Sequence, residues 1–163
     1  MFVNHTQVIP APLEQVAKVL CAEAYNVEVE QGREGVVSTR FELTHRDDQE
    51  LRFVLHSREY ARKKTGGLDK KTQVPTSMTS RYRVAEHVLT WDYRDGNNDS
   101  RFVLRGTYQL SKVGEQTRME HEVEIAVRIP LIGRQIAKFI ARQFEKDVPR
   151  YQAAMKKHLA GSG

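Results

Sequence analysis

Residues 129–159 read IPLIGRQIAKFIARQFEKDVPRYQAAMKKHL, and this stretch decides the fold. Its apolar side chains recur at every fourth position, which on an α-helix places them in one continuous row. An unbroken helix over this stretch would be about 45 Å long and would need an apolar surface to cover that row. The row consists of Ile132, Ile136, Ile140, Phe144 and Val148.

Basic residues recur with the same period but are offset by two positions, a rotation of about 200°, so they follow the opposite face. Pro149 lacks an amide hydrogen and clashes with the preceding turn, so we expect a kink or break near Asp147. Apolar positions continue beyond it as Tyr151, Met155 and Leu159. We expect the residues before the bend to roof a cavity and those after it to close one end. The basic row is Arg134, Lys138, Arg142, Lys146 and Arg150.

The composition is that of a single soluble globular domain. With 163 residues, 39% apolar and 29% charged, the chain can bury roughly 70% of its unfolded surface. No apolar run reaches the ~20 residues of a membrane span, and the first residues lack the features of a signal peptide. A single cysteine, Cys21, excludes an internal disulfide and fits a reducing compartment. We therefore expect a cytoplasmic protein with one domain over residues 1–160 and a flexible tail over 161–163.

The first part of the chain predicts a strand followed by one or two short helices. Phe2–Ile9 has the strand pattern and ends at Pro10, which cannot continue a ladder. Pro12 suits the first turn of a helix, and the apolar spacing after it predicts an amphipathic helix to about Ala24. Residues 25–35 are acidic and fit either a second short helix or a loop.

From Val36 onward the apolar period changes to two, which predicts six further strands joined by polar turns, including one at Asp95–Asp99. The most regular is Met119–Ile129, with apolar residues and a histidine on one face and glutamates on the other. The segment Glu59–Pro75 is rich in lysine and arginine and contains Gly66–Gly67, so we expect a long, irregular and mobile hairpin loop at the rim of the sheet.

This order of elements predicts an α+β fold. An apolar sheet face and an apolar helix row would each be an aggregation hazard if left exposed, so each is expected to cover the other. We expect a curved antiparallel sheet of about seven strands wrapped around the long C-terminal helix.

The order resembles the START-like superfamily, also called SRPBCC, polyketide-cyclase-like or helix-grip proteins, over nearly the whole chain. The motifs that carry the resemblance are Ile9–Pro12 with Val16, and Ile129–Gly133 at the entrance to the last helix. The second is most similar to a bacterial branch catalogued only as a domain of unknown function. The resemblance implies a helix-grip fold with a cavity for a lipid, steroid, polyketide or similar apolar molecule. Thr44–Asp48 replaces the glycine-rich loop of the plant members, so neither a plant-type ligand nor a catalytic residue is implied.

The residues expected to line such a cavity share the inward faces of the strands and the apolar row of the helix. His87 and His121 lie among them and could orient a ligand or act as acid–base groups, because imidazole titrates near neutrality. The alternative is that each is a core histidine satisfied by a tyrosine or a backbone carbonyl. The predicted ligand-binding residues are Phe53, Leu55, His87, Leu89, Trp91, Tyr93, Phe102, Leu104, Tyr108, Met119, His121, Val123, Ile125, Ile136, Ile140 and Phe144.

Motifs for other chemistry are missing from the sequence. The histidines and the cysteine do not have metal-ligand spacing, and neither a nucleophile elbow nor a phosphate loop is present. The strand aromatics share their face with aliphatic residues, which favours a core or cavity over a nucleic-acid stacking platform. We predict no catalytic residue, metal, cofactor or nucleic-acid partner.

The leading hypothesis is the binding, or the transport, of a hydrophobic small molecule or lipid. One alternative is a cyclase-like enzyme that uses His87 or His121 with Tyr93 or Tyr108. Another is a peripheral module that binds an anionic membrane or an acidic protein through the basic row and the segment 63–71.

Overall fold

The computed structural model describes residues 1–63, 65–96 and 100–162. Predictions that concern Lys64, the turn residues Asn97–Asp99 and the last tail residue Gly163 lie outside this range. The strands are β1 (Phe2–Ile9), β2 (Val36–Arg46), β3 (Glu50–Arg62), β4 (Leu68–Arg83), β5 (Val88–Asp95), β6 (Phe102–Val113) and β7 (Gln116–Val127). The helices are α1 (Leu13–Leu20), α2 (Glu23–Gln31) and α3 (Gly133–Ser162).

The seven strands form one antiparallel sheet in the order β1-β7-β6-β5-β4-β3-β2, with α3 packed against β7, α1 and α2. This confirms the predicted helix-grip architecture. The core lies between the inward face of the sheet and the helices, and its fully buried members come from both. They include Val16, Phe53, Leu110, Ile125 and Met155.

The segment left open between helix and loop forms α2. Its pattern is obscured because Tyr25 and Glu30 are its buried residues, and a buried glutamate does not contribute to an apolar period. The first helix ends at Leu20, and Ala22 precedes α2 in an extended conformation. Cys21 between them is a free, half-buried thiol.

The prediction of a long loop over Glu59–Pro75 is wrong. β3 continues to Arg62 and β4 begins at Leu68, so the two strands form a long hairpin with a short tip. The sequence lacks the strand period here because residues 70–73 are all exposed. Where a hairpin extends past the core neither face is buried, and no alternation is required.

Of the kink or break predicted near Asp147, the break is wrong, since α3 is continuous through Pro149; the kink stays a prediction. The carbonyl that Pro149 leaves without a donor belongs to Glu145, four residues earlier. Both residues are exposed, so water can satisfy that carbonyl. The helix also continues to Ser162, into the predicted tail.

The buried face of α3 is rotated from the predicted apolar row. Ala137 and Ala141 are buried, whereas Ile132 is 49% exposed and Ile136 and Ile140 are half-buried. Small residues let the helix approach its neighbours closely. At Gly133 a Cβ atom would overlap the carbonyl oxygen of Val127, so only glycine fits where the helix begins. Ile136 flanks this contact, whereas the half-buried Ile140 still packs against the core beside the alanines.

The pairing between β5 and β6 is short. It runs from Val88 opposite Gln109 to Asp92 opposite Arg105, whereas β5 pairs with β4 as far as Asp95. Beyond Asp92, the described residues of β5 and β6 are not paired.

Candidate ligand-binding site

A cavity of about 220 Å³ lies between the sheet and the helices. Strands β1, β6 and β7 form one wall, and α2 and the middle of α3 form the other. Most of the lining is aromatic or aliphatic. The lining residues are Val3, Asn4, His5, Gln7, Tyr25, Tyr108, Met119, His121, Val123, Phe144, Glu145, Val148, Tyr151 and Gln152.

His121 is the polar centre of the sheet wall. Its ring stacks on Tyr108 with centroids 3.8 Å apart and planes within 5°, and its Nε2 accepts a hydrogen bond from Nε1 of Trp91 at 3.1 Å. An indole can only donate, so Nε2 carries no proton and the neutral ring is protonated on Nδ1. Burial, with a smaller effect from His5, lowers the pKa of His121 to about 3. At neutral pH His121 therefore offers the cavity a hydrogen-bond donor without a charge.

Three tyrosines supply further polar groups of the interior. Burial raises the pKa of Tyr25, Tyr108 and Tyr151, and Tyr151 adds to the upward pKa shift of Tyr25 and of Tyr108. Their hydroxyls have no hydrogen-bond partner within the described part of the chain. They are therefore available to a bound molecule.

Polar side chains lie where the cavity meets solvent, between the edge strand β1 and α3. Nε2 of Gln152 and Nε2 of His5 are 3.3 Å apart, so one contact links the two elements across the opening. Glu145 and Asn4 also line the cavity and are exposed. Access to the cavity therefore leads between β1 and α3.

A buried ionic network holds α2 against the sheet. Arg33 donates to both carboxylate oxygens of Glu59 at 2.8 Å and also pairs with Glu30, while the hydroxyl of Tyr93 donates to Glu59 at 2.8 Å. Burial acts to raise the pKa of Glu59, but the hydrogen bonds and charge of Arg33 outweigh it and lower that pKa. The network positions α2, and with it Tyr25 in the cavity wall.

Five predicted residues line the cavity, and several predicted ones do not. Those brought together there are Tyr108, Met119, His121, Val123 and Phe144. The other strand residues of the predicted set, Phe53, Leu55, Leu89, Trp91, Leu104 and Ile125, pack in the core or are buried.

The remaining predicted residues have other surroundings. His87 is in the turn before β5 with a φ of 56°, not on a strand. Tyr93 belongs to the ionic network, Phe102 is 39% exposed, and Ile136 and Ile140 flank the buried face of α3. The lining residues that the sequence did not indicate come mainly from β1 and α2, namely Val3, His5 and Tyr25, whereas Val148 and Tyr151 belong to the helix residues expected to roof or close a cavity.

The acid–base geometry that a cyclase-like enzyme would require is not formed by these residues. His121 and Tyr108 stack face to face, so their polar atoms do not form a hydrogen bond. The hydroxyl of Tyr93 donates its hydrogen bond to Glu59. Burial raises the pKa of the Cys21 thiol to about 12, so this thiol is far from a reactive thiolate. Within residues 1–63, 65–96 and 100–162 no cluster of histidine, cysteine and carboxylate side chains could hold a metal ion.

None of the described helices is both long enough and apolar enough to span a membrane. The basic row is exposed at Arg134, Lys138, Arg142 and Lys146, but Arg150 departs from it. Its guanidinium is half-buried, donates to the carbonyl of Val29 near the end of α2 and pairs with Asp147 at 3.4 Å. A cation at a helix C-terminus stabilises the helix.

Comparison with known proteins found one family whose model matches this chain and several solved structures with the same fold. Residues 4–159 match the family described as "Protein of unknown function (DUF2505)", while no curated protein matches the chain. Solved structures with the same fold include TTHA0849 from Thermus thermophilus, with a TM-score of 0.64, 15% identity and coverage of 100% of this chain and 99% of that one.

Two other solved structures, one of them described as a START superfamily protein, share this fold. The ZhuI aromatase/cyclase from Streptomyces sp. R1128 has a TM-score of 0.55 and 14% identity, and the match covers 99% of this chain and 92% of that one. A START superfamily protein from Mycobacterium smegmatis has a TM-score of 0.55 and 11% identity, with 99% of both chains covered. At these identities the likeness establishes the fold.

Proposed function

We propose that this chain, which belongs to the family described as "Protein of unknown function (DUF2505)", binds a hydrophobic small molecule in the cavity between its sheet and α3. The observation that carries this proposal is the lining: apolar and aromatic side chains on both walls, with a few uncharged polar groups in the interior. Ligand sites have this composition, because burial supplies affinity and a few polar groups fix orientation. Structural similarity to a START superfamily protein and an aromatase/cyclase supports it.

The size of the cavity sets the expected affinity. A ligand that buries about 150–200 Å² of apolar surface gains roughly 4–5 kcal/mol, before the cost of ordering it. The hydrogen-bonding groups of the cavity add to this only where the ligand matches them. We expect a dissociation constant in roughly the micromolar to millimolar range.

Native mass spectrometry of the purified protein, followed by organic extraction, tests the proposal. Val148 lines the cavity, so Val148→Trp should fill it and remove any co-purified apolar molecule. Val113 is 48% exposed on a strand end, so Val113→Trp is the matched control and should retain the ligand. If Val148→Trp kept the same bound mass as the wild type, the ligand would lie elsewhere and the proposal would fail.

A second candidate function, docking at an anionic membrane, is favoured by the segment before α3. Leu131 is fully exposed and Ile132 is 49% exposed, and the exposed cations Arg128 and Arg134 flank them. Apolar side chains can enter the headgroup region while neighbouring cations attract anionic lipids. Arg134, Lys138, Arg142 and Lys146 have no ion-pair partner among the described residues.

Sedimentation with vesicles of phosphatidylserine and phosphatidylcholine tests this second function. Binding should fall steeply between ~50 mM and ~500 mM salt, because the attraction between exposed charges is screened. Leu131→Asn should weaken it, since asparagine tolerates the positive φ of 73° at this position. Val113→Asn, at an exposed apolar residue elsewhere, should bind as the wild type does. Binding that is absent or independent of salt would refute membrane docking.

A further inference from the structure

The volume of the cavity restricts the class of ligand, provided that the proposed function holds. Drug-sized ligands occupy pockets of roughly 300–1,000 Å³, whereas benzene fits an engineered apolar cavity of about 150 Å³. At about 220 Å³, this cavity has room for one ring or two fused rings. A four-ring steroid or a long acyl chain exceeds that space.

Aromatic rings line both walls of the cavity. The stacked rings of Tyr108 and His121 form part of the sheet wall, and Phe144 of α3 lies on the other side. Phe144 is itself stacked on Trp91, with centroids 6.0 Å apart and planes 26° apart. Aromatic rings on both walls favour a guest that contains a planar ring itself, because aromatic groups pack well on one another in offset or edge contacts.

Among the described residues, the lining offers hydrogen-bond donors but neither lysine nor arginine. Nδ1 of His121 carries a proton, because Nε2 accepts from Trp91, and Nδ1 has no acceptor among the described residues. The hydroxyls of Tyr25, Tyr108 and Tyr151 are also available. Within the described part of the chain the charged lysine and arginine side chains lie away from the cavity lining, and the carboxylate of Glu145 is at the exposed side.

A carboxylate on the ligand would therefore have no partner of opposite charge. Burying an unpaired ion is costly, whereas a neutral acceptor loses little water and gains hydrogen bonds from the histidine and the phenols. We infer that the cavity binds a compact, planar, uncharged molecule of one or two rings that carries a carbonyl or an equivalent acceptor, held by Nδ1 of His121 and the tyrosine hydroxyls.

Isothermal titration calorimetry with four probes tests this inference. 1-Tetralone has two rings and a carbonyl, tetralin lacks the carbonyl, 1-naphthoate carries a charge, and palmitate is a long acyl chain. We expect 1-tetralone to bind about tenfold more tightly than tetralin, as expected for one hydrogen bond to a buried donor. 1-Naphthoate and palmitate should bind more weakly than 1-tetralone.

Variants then separate the hydrogen bond from the packing. His121→Phe keeps an aromatic ring beside Tyr108 but removes the donor, so it should weaken 1-tetralone about tenfold and leave tetralin unchanged. Tyr151→Phe is a second variant with the same expected selectivity, should His121→Phe not fold. His56→Phe, at a histidine whose Nε2 lies 3.5 Å from Glu42 and whose side chain is 39% exposed, is the control.

The outcomes distinguish this inference from the function on which it rests. Tight binding of palmitate or 1-naphthoate, without binding of 1-tetralone, overturns the compact neutral class and leaves hydrophobic-ligand binding in place. Equal affinity for 1-tetralone and tetralin in the wild type overturns the role of the donors. Failure of all four probes to bind overturns both the class and the binding function.

Discussion

His121 should make the protein lose stability as the pH falls from 7 to 5. Burial lowers its pKa from 6.5 to about 3, so between these values the folded protein keeps the ring neutral while the unfolded chain takes up a proton. The unfolded state then binds more protons, and the free energy of unfolding falls with decreasing pH. The loss is about 1.4 kcal/mol per pH unit below the unfolded pKa. From pH 7 to pH 5 this amounts to about 2 kcal/mol.

Urea denaturation followed by circular dichroism at both pH values measures this loss. His121→Phe cannot take up the proton in either state, so its unfolding free energy should change by about 2 kcal/mol less than that of the wild type. His56→Gln, at a partly exposed histidine, should lose as much as the wild type. The carboxylates with lowered pKa values, such as Asp47 at about 2, affect stability mainly below this pH range. If His121→Phe lost as much stability as the wild type, the reasoning from burial would be refuted.

Three further substitutions have defined outcomes. Arg33→Ala leaves two buried carboxylates without their partner and should lower the unfolding free energy, measured in urea, by about 3–5 kcal/mol. Arg62→Ala, at a surface ion pair, is the control and should change the unfolding free energy by less than about 1 kcal/mol. Equal losses in the two variants would contradict this prediction. Gly106→Ala would place a methyl group 2.5 Å from the single indole ring, so the tryptophan emission should shift, while Gly67→Ala meets open space and should leave it unchanged. Pro149→Ala restores a backbone donor inside α3 and should raise the unfolding free energy by about 1–3 kcal/mol, and a decrease would show that the helix is built around the proline.

The architecture was predictable because its main signals are local. A period of two in the strands and a period of four in the last stretch identify the elements and their apolar faces. The most regular strand shows this best: β7 has Glu120 and Glu124 outward, and the latter pairs with Arg105 of the neighbouring strand at 2.6 Å. The apolar face of the sheet and the apolar row of the helix both need to be covered, and few arrangements other than packing one on the other achieve this.

The site was less predictable, because a cavity forms where two surfaces fail to meet and periodicity does not say where that is. The apolar row of α3 suggested that its isoleucines face the sheet, but Ala137 and Ala141 make the close contact. The cavity therefore lies under Phe144 and Val148, nearer to β1 than to the central strands. The β1 wall leaves little signal in the sequence, because two of its inward residues, His5 and Gln7, are polar and interrupt an apolar period of two.

The buried ionic network was missed for a related reason. Glutamate is among the residue types least often buried, so the sequence gives no reason to place Glu30 and Glu59 in the interior. Their burial depends on Arg33, which is 26 residues from Glu59 in sequence. Pairing across such a distance leaves no periodic trace in the sequence.

The short pairing between β5 and β6 divides the sheet into two blocks of strands that few backbone hydrogen bonds hold together. Backbone hydrogen bonds resist shear, so two blocks joined by few of them can flex about that junction at lower cost than elsewhere. One block, β1, β7 and β6, holds the cavity wall, while the other, β2 to β5, is tied to α2 by Arg33. The bond from Trp91 of β5 to His121 of β7 bridges the junction on the cavity side. A bound ligand that displaces His121 would therefore also disturb Trp91, which belongs to the other block.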